Sequence, residues 1–104
     1  MRVTFEDIEL ESLVLYHRSK KYKKYQRDSK FLAALDRVHD DLRDAEKTAD
    51  LRLLSYLHYE QLKGIKMSSV RIINGRVERL LFHELEDGIE ISLIEIDDTH
   101  YGQR

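Results

Sequence analysis

Two β-prone runs flank the dipeptide Asn74-Gly75: Ser69-Val70-Arg71-Ile72-Ile73 before it and Arg76-Val77-Glu78-Arg79-Leu80-Leu81-Phe82 after it. Asn-Gly tolerates positive φ and closes a two-residue turn whose twist suits antiparallel strands. The spacing predicts a hairpin in which Ile72 faces Val77 and Arg71 faces Glu78, the second pair as a cross-strand ion pair. A further run, Ile89 to Ile96, follows the turn-forming Glu86-Asp87-Gly88 and extends the hairpin into an antiparallel meander. With the end of the chain committed to strands, the first half must supply whatever covers them.

That half reads mostly as helix. Arg2 to Phe5 alternates and predicts a short strand that can join the meander. Glu6 to His17 carries Ile8, Leu10, Leu13, Val14 and Leu15 in a loose helical stripe, with acids in the first turn where the helix dipole favours them. Phe31, Leu32, Leu35, Val38, Leu42 and Ala45 repeat at three- and four-residue steps, and Asp28 or Ser29 can cap that helix. A shorter helical piece, Asp50 to Ser55, directs Leu51 and Leu54 inward. Around Leu57 to Gly64 the helical period fades, and Gly64 marks a turn. The expected fold class is α+β, with N-terminal helices packed on one face of a small antiparallel sheet. At 104 residues, one domain spanning 1–104 is expected, and any site must sit on the outside of its single core.

Charge is segregated beneath a net balance of -2. Between His17 and Lys30 lie Arg18, Lys20, Lys21, Lys23, Lys24, Arg27 and Lys30 against Asp28 alone. Between Glu84 and Asp98 lie Glu84, Glu86, Asp87, Glu90, Glu95, Asp97 and Asp98, with no Lys or Arg. Such asymmetry points to two surfaces with different partners. Tyr22 and Tyr25 interleave the lysines, a pattern suited to single-stranded RNA, where cations hold phosphates and rings stack bases. The plainer reading is a solvated loop beside a helix and a sheet edge blunted by acids. Zero Cys excludes disulfides, thiolate metal sites and a Cys nucleophile. The five histidines, His17, His39, His58, His83 and His100, lack paired spacing, so no metal and no other cofactor is expected. No apolar run approaches the roughly 18 residues that cross a bilayer, and the opening Met1-Arg2-Val3-Thr4-Phe5-Glu6 does not read as a signal peptide. A cytoplasmic location without membrane contact is the expectation.

From Tyr59 onward the chain resembles the RelE/ParE toxin superfamily, and most closely its HigB-like "plasmid maintenance killer" branch. The resemblance is carried in order by Tyr59-Glu60-Gln61-Leu62-Lys63-Gly64, Ser69-Val70-Arg71-Ile72, Arg79-Leu80-Leu81-Phe82, Ile94-Glu95-Ile96 and Thr99-His100-Tyr101. It covers roughly the last 45 residues; the first half matches in outline, including a Lys-Lys-Tyr segment between two helices. The resemblance implies a RelE-like fold and a toxin of a type II toxin–antitoxin pair, partnered by a HigA-like helix-turn-helix antitoxin. It also implies a ribosome-dependent endoribonuclease acting on mRNA; the ParE branch instead inhibits DNA gyrase by contact.

Metal-free RNA cleavage needs a base for the 2'-OH, a cation for the phosphate and an acid for the departing 5' oxygen. By the resemblance, Glu60 is the candidate base, Arg79 the phosphate clamp and Lys63 a second cation. His100 is the proton donor, and Tyr101 stacks on a base or steers the acid. Lys20, Lys21, Lys23 and Lys24 are expected to contact ribosomal RNA, and Arg71 aligns with a further family arginine. Each has a duller alternative: a helical Glu60–Lys63 surface pair, Arg79 bound to an acid on the third strand, Arg71 neutralised by Glu78, and a frayed terminal His100. The Arg71–Arg79 gap is two residues longer than in compact relatives, an even insertion that keeps each side chain on its face.

Overall fold

The computed structural model describes residues 1–64 and 66–99. β1 (Arg2–Phe5) leads into α1 (Ile8–Tyr16), whose start is capped by Asp7 accepting the Glu9 backbone N–H at 2.9 Å. His17 ends α1 in a left-handed conformation (φ 60°), and its imidazole lies 3.0 Å from Asp36. A single 3-10 turn, Lys23–Tyr25, precedes α2 (Ser29–Asp44). Asp28 caps α2 by accepting the Phe31 N–H at 3.0 Å, and the stripe Phe31, Leu32, Leu35, Val38 and Leu42 is buried. Two more 3-10 pieces, Thr48–Leu53 and Ser55–Leu57, bring the chain to the sheet.

The remaining strands are β2 (Glu60–Leu62), β3 (Met67–Arg71), β4 (Arg79–Leu85) and β5 (Glu90–Asp97). The sheet order is β1-β5-β4-β3-β2; β1 runs parallel to β5 and every other pairing is antiparallel. Leu10, Leu13 and Val14 of α1 and the α2 stripe pack on Val70, Leu80, Phe82, Ile91, Leu93 and Ile96. Each fully buried Leu or Phe there contributes roughly 1.5–3 kcal/mol over an exposed one. Residues 57–64, where helical period fades, include the three-residue edge strand β2. Glu and Gln are poor strand formers, so its pairing with β3 is a tertiary effect rather than a local one. Among the described residues no helix is long and apolar enough to cross a membrane.

The hairpin forms at the expected place, but its register corrects the expectation. Arg71 faces Arg79, not Glu78, and the ladder stops there. Arg76 N–H does donate to the Ile73 carbonyl at 3.1 Å around Asn74-Gly75. Gly75 alone takes positive φ (+89°) while Asn74 does not, which makes a type II turn. That turn does not match strand twist, so residues 72–78 leave the ladder as a loop. Glu78 pairs instead with Arg76, accepting from its Nε and Nη2 at 3.1 and 3.0 Å, and also accepts the Tyr25 hydroxyl. Arg76 reaches Asp28 at 2.9 Å too, tying the hairpin tip to the start of α2. Between β4 and β5 the register shifts after Leu81: Glu95 faces Leu81 but Leu93 faces Phe82, leaving Ile94 as an extra residue. This bulge changes the phase of β5, so that Leu93 and Ile96 both enter the core.

Candidate functional site

Alternation decides which side chains share a face of the sheet. Val70, Leu80, Phe82 and Ile96 point to the helices, so Ser69, Arg71, Arg79 and Asp97 project from the opposite side. Arg71, Arg79 and Asp97 form one row across β3, β4 and β5, and Glu60 and Ser69 occupy the next row on β2 and β3.

Arg79 is the centre of this group and is only 7% exposed. Its Nε donates to Ser69 Oγ at 2.8 Å and its Nη2 to the His58 carbonyl at 2.5 Å. Glu60 Oε1 lies 3.8 Å from the same Nη2. Burial pushes the Arg79 guanidinium down from its usual range, Glu60 counters that, and the neighbouring Arg71 charge pushes it down again. An arginine still keeps its proton under these conditions. Two bonds to fixed oxygens therefore hold a planar cation in one orientation, with Glu60 as its one ion-pair partner among the described residues.

Arg71 stands directly across from it. Like charges opposite one another on neighbouring strands cost stability unless an anion lies between or beside them. Arg71 Nη1 donates to the Arg76 carbonyl at 3.0 Å, whereas its Nε is buried with no hydrogen-bond partner among the described residues. Asp97 faces Arg79 across β5, yet its Oδ1 accepts from Thr99 N–H and hydroxyl at 2.9 and 2.6 Å, and its Oδ2 has no partner among the described residues. The carboxylate beside Arg79 thus comes from β2, not from the acidic third strand of the meander. The arrangement is an incompletely neutralised pair of guanidiniums next to one half-exposed carboxylate, a setting that can hold a phosphate and accept a proton beside it.

The structure brings together Glu60, Arg79 and Arg71 from the residues expected at the site. Lys63 follows β2 on an exposed turn and forms no ion pair with Glu60; Glu60 opens a strand, so the two are not at helical spacing. His100 and Tyr101 lie outside the described residues. The lysine cluster is exposed and separate: Lys21 pairs with Asp7 at 2.7 Å and Lys24 with Asp98 at 2.5 Å. Lys20 and Lys23 have no ion-pair partner among the described residues. The interleaved tyrosines do not present stacking faces to solvent. Tyr25 is 2% exposed and stacked on Phe31 at 4.0 Å, and Tyr22 is buried with its hydroxyl accepting from the Ile96 N–H. Their rings fill the core, where apolar area is worth more than a surface contact. Among the described residues no three His, Asp or Glu side chains gather as a metal site requires.

Ser69 and the His58 carbonyl belong to the site and carry no motif. Ser69 is two residues from Arg71 and so shares its face, a signal usable only once the β3–β4 register is known. A backbone carbonyl leaves no trace in sequence at all.

These elements define an α+β protein, two N-terminal helices on one face of a five-stranded and mostly antiparallel sheet, consistent with a RelE-like fold. No protein-family model, curated protein or solved structure matches the chain.

Proposed function

We propose that this chain is the toxin of a type II toxin–antitoxin pair and acts in the cytoplasm as a ribosome-dependent endoribonuclease on mRNA, without a metal. The observation that supports this most is the Arg79–Arg71 pair, in which Arg79 is fixed by Ser69 and the His58 carbonyl and only partly neutralised by Glu60. A phosphodiester is the anion that such a pair suits, because its two non-bridging oxygens match a guanidinium fork. Glu60 takes the proton of the substrate 2'-OH, the 2' oxygen attacks phosphorus, and the P–O5' bond breaks. His100 returns a proton to O5', leaving a 2',3'-cyclic phosphate and a 5'-hydroxyl. Arg79 holds the charge that grows on phosphorus through this step. Lys63 and Tyr101 support the phosphate and the base, and Lys20, Lys21, Lys23 and Lys24 hold ribosomal RNA. A HigA-like helix-turn-helix antitoxin is the neutralising partner.

Primer extension on a reporter message after induction tests this. Discrete breaks are expected in the translated reporter and none in an untranslated copy. His100→Ala and Arg79→Ala should each restore growth, and a fully toxic double variant would rule out the site. Growth arrest with intact messages would favour inhibition of a target such as DNA gyrase by contact.

A further inference from the structure

At the β2 edge of the sheet, joined to Arg79 through the His58 carbonyl, the chain builds a hollow that the cleavage step does not use. The 3-10 pieces Thr48–Leu53 and Ser55–Leu57 end at His58, which adopts φ 45° and ψ 49°, a left-handed conformation uncommon outside glycine. That turn aims the His58 carbonyl at Arg79 Nη2 and leaves His58 exposed on the rim of a hollow of about 190 Å³. Leu51, Arg52, Leu54, Ser55 and Tyr59 complete its lining.

One wall is a pile of flat groups. Phe82 and Tyr59 stack with centroids 6.3 Å apart and planes at 19°, and the Arg52 guanidinium lies 4.9 Å above the Tyr59 ring. Tyr59 cannot swing freely, because its hydroxyl donates to Glu84, which also accepts from Thr48 and Ser68. Outermost is Arg52, an exposed guanidinium with no ion-pair partner among the described residues. A fixed aromatic ring with an exposed guanidinium over its face is what an unpaired base binds, since arginine planes stack bases as aromatic rings do. The hollow is smaller than the roughly 300–1,000 Å³ of ordinary ligand pockets, which fits one ring system and not a whole nucleotide. Ser55 and His58 supply hydrogen-bonding groups at its edge.

We propose that this hollow receives one unpaired base of single-stranded RNA, from a nucleotide adjoining the phosphate on Arg79, with Arg52 as the stacking plane. Arg52 is therefore a specificity-determining residue, distinct from the groups that act on the linkage. The inference rests on reading Arg79 as the phosphate clamp.

The test titrates the full chain with a single-stranded trinucleotide followed by NMR, and with the same trinucleotide made abasic at each position in turn. An abasic sugar at one position is expected to weaken binding about tenfold, the scale of one lost stacking contact. Arg52→Ala should abolish that difference with the spectrum of the fold unchanged. Arg52→Lys, which keeps the charge and loses the plane, should abolish it as well while retaining the salt dependence of binding. Equal affinity of the wild type for intact and abasic RNA, with binding still lost in Arg79→Ala, overturns the base site and leaves the clamp standing. A base dependence that survives Arg52→Ala overturns the role of Arg52. No binding of any trinucleotide overturns the clamp and the base site together.

Discussion

At the scale of single residues, the site turns on whether Arg79 supplies geometry or only charge. Its guanidinium is held by Ser69 Oγ and the His58 carbonyl, so a lysine would keep the charge and lose the fork. Arg79→Ala is expected to slow message cleavage in a reconstituted translation assay on the order of 10²–10³-fold, the cost of removing one donor to a developing oxyanion. Arg79→Lys should recover less than a tenth of that loss, with both variants checked for an intact fold by circular dichroism. Near-wild-type cleavage by the lysine variant would mean that the orientation set by Ser69 is irrelevant. Arg79 and Glu60 were expected at one site, and the fold sets them 3.8 Å apart. The partner of Arg71 was not legible. A one-residue difference in register exchanges Glu78 for Arg79 opposite it, and turns an expected neutral pair into a cationic one. Tyr22 and Tyr25 mislead for a different reason: a Lys/Tyr alternation is the same string of letters whether the rings face water or the core.

At the scale of elements, the connections carry more strain than the strands they join. Glu86, Asp87 and Gly88 between β4 and β5 all take positive φ. A Cβ at Gly88 would stand 2.6 Å from Thr48 Oγ1, the hydroxyl that donates to Glu84 at 2.8 Å. Gly64 also has positive φ (+80°), but nothing lies within 4 Å of a Cβ there. Gly64→Ala should therefore cost about 1 kcal/mol from backbone strain alone. Gly88→Ala adds the displacement of Thr48 and should cost about 2–3 kcal/mol. Urea unfolding of the two variants checks the difference, and equal costs would mean that Thr48 yields without loss. The helices were legible because α2 keeps one apolar stripe through sixteen residues and an aspartate caps its start. β3, β4 and β5 were legible as strands from their alternation, yet the type II turn moved the hairpin ends of β3 and β4 and the bulge at Ile94 changed the phase within β5. β2 was not legible as a strand, because three residues hold too little pattern and its partner lies in another part of the chain.

At the scale of the whole molecule, charge sets both the field that the protein presents and the pH at which it unfolds. Lys21 and Lys24 are engaged by Asp7 and Asp98, so within the four-lysine cluster the field that reaches outward comes mainly from Lys20 and Lys23. Charge reversal at Lys20 and Lys23 should weaken ribosome co-sedimentation and its salt dependence more than reversal at Lys21 and Lys24, and equal effects would mean that the two ion pairs open on binding. The carboxylates that join the elements have their own consequence. Burial pushes Glu84 up, but hydrogen bonds from Ser68, Tyr59 and Thr48 outweigh it and hold the carboxyl below 4.5. Burial likewise pushes Glu78 up, and Arg76 brings it below 4.5; the Phe31 N–H and Arg76 do the same for Asp28 from 3.8. A carboxyl that titrates lower when folded than when unfolded adds stability above its unfolded pKa and loses that contribution as pH falls through the folded one. Glu84 joins β4 to β3, to Tyr59 just ahead of β2 and to the 3-10 segment at Thr48, while Glu78 and Asp28 meet at Arg76 between the hairpin and α2. The melting temperature should therefore be level from pH 7 to about 5 and drop steeply below about 4.5. Glu84→Gln should have a lower melting temperature at pH 7 and a shallower acid drop, because the amide cannot accept all three hydroxyls and no longer titrates. A wild-type melting temperature that rises between pH 5 and pH 3 would contradict the sign of all three shifts.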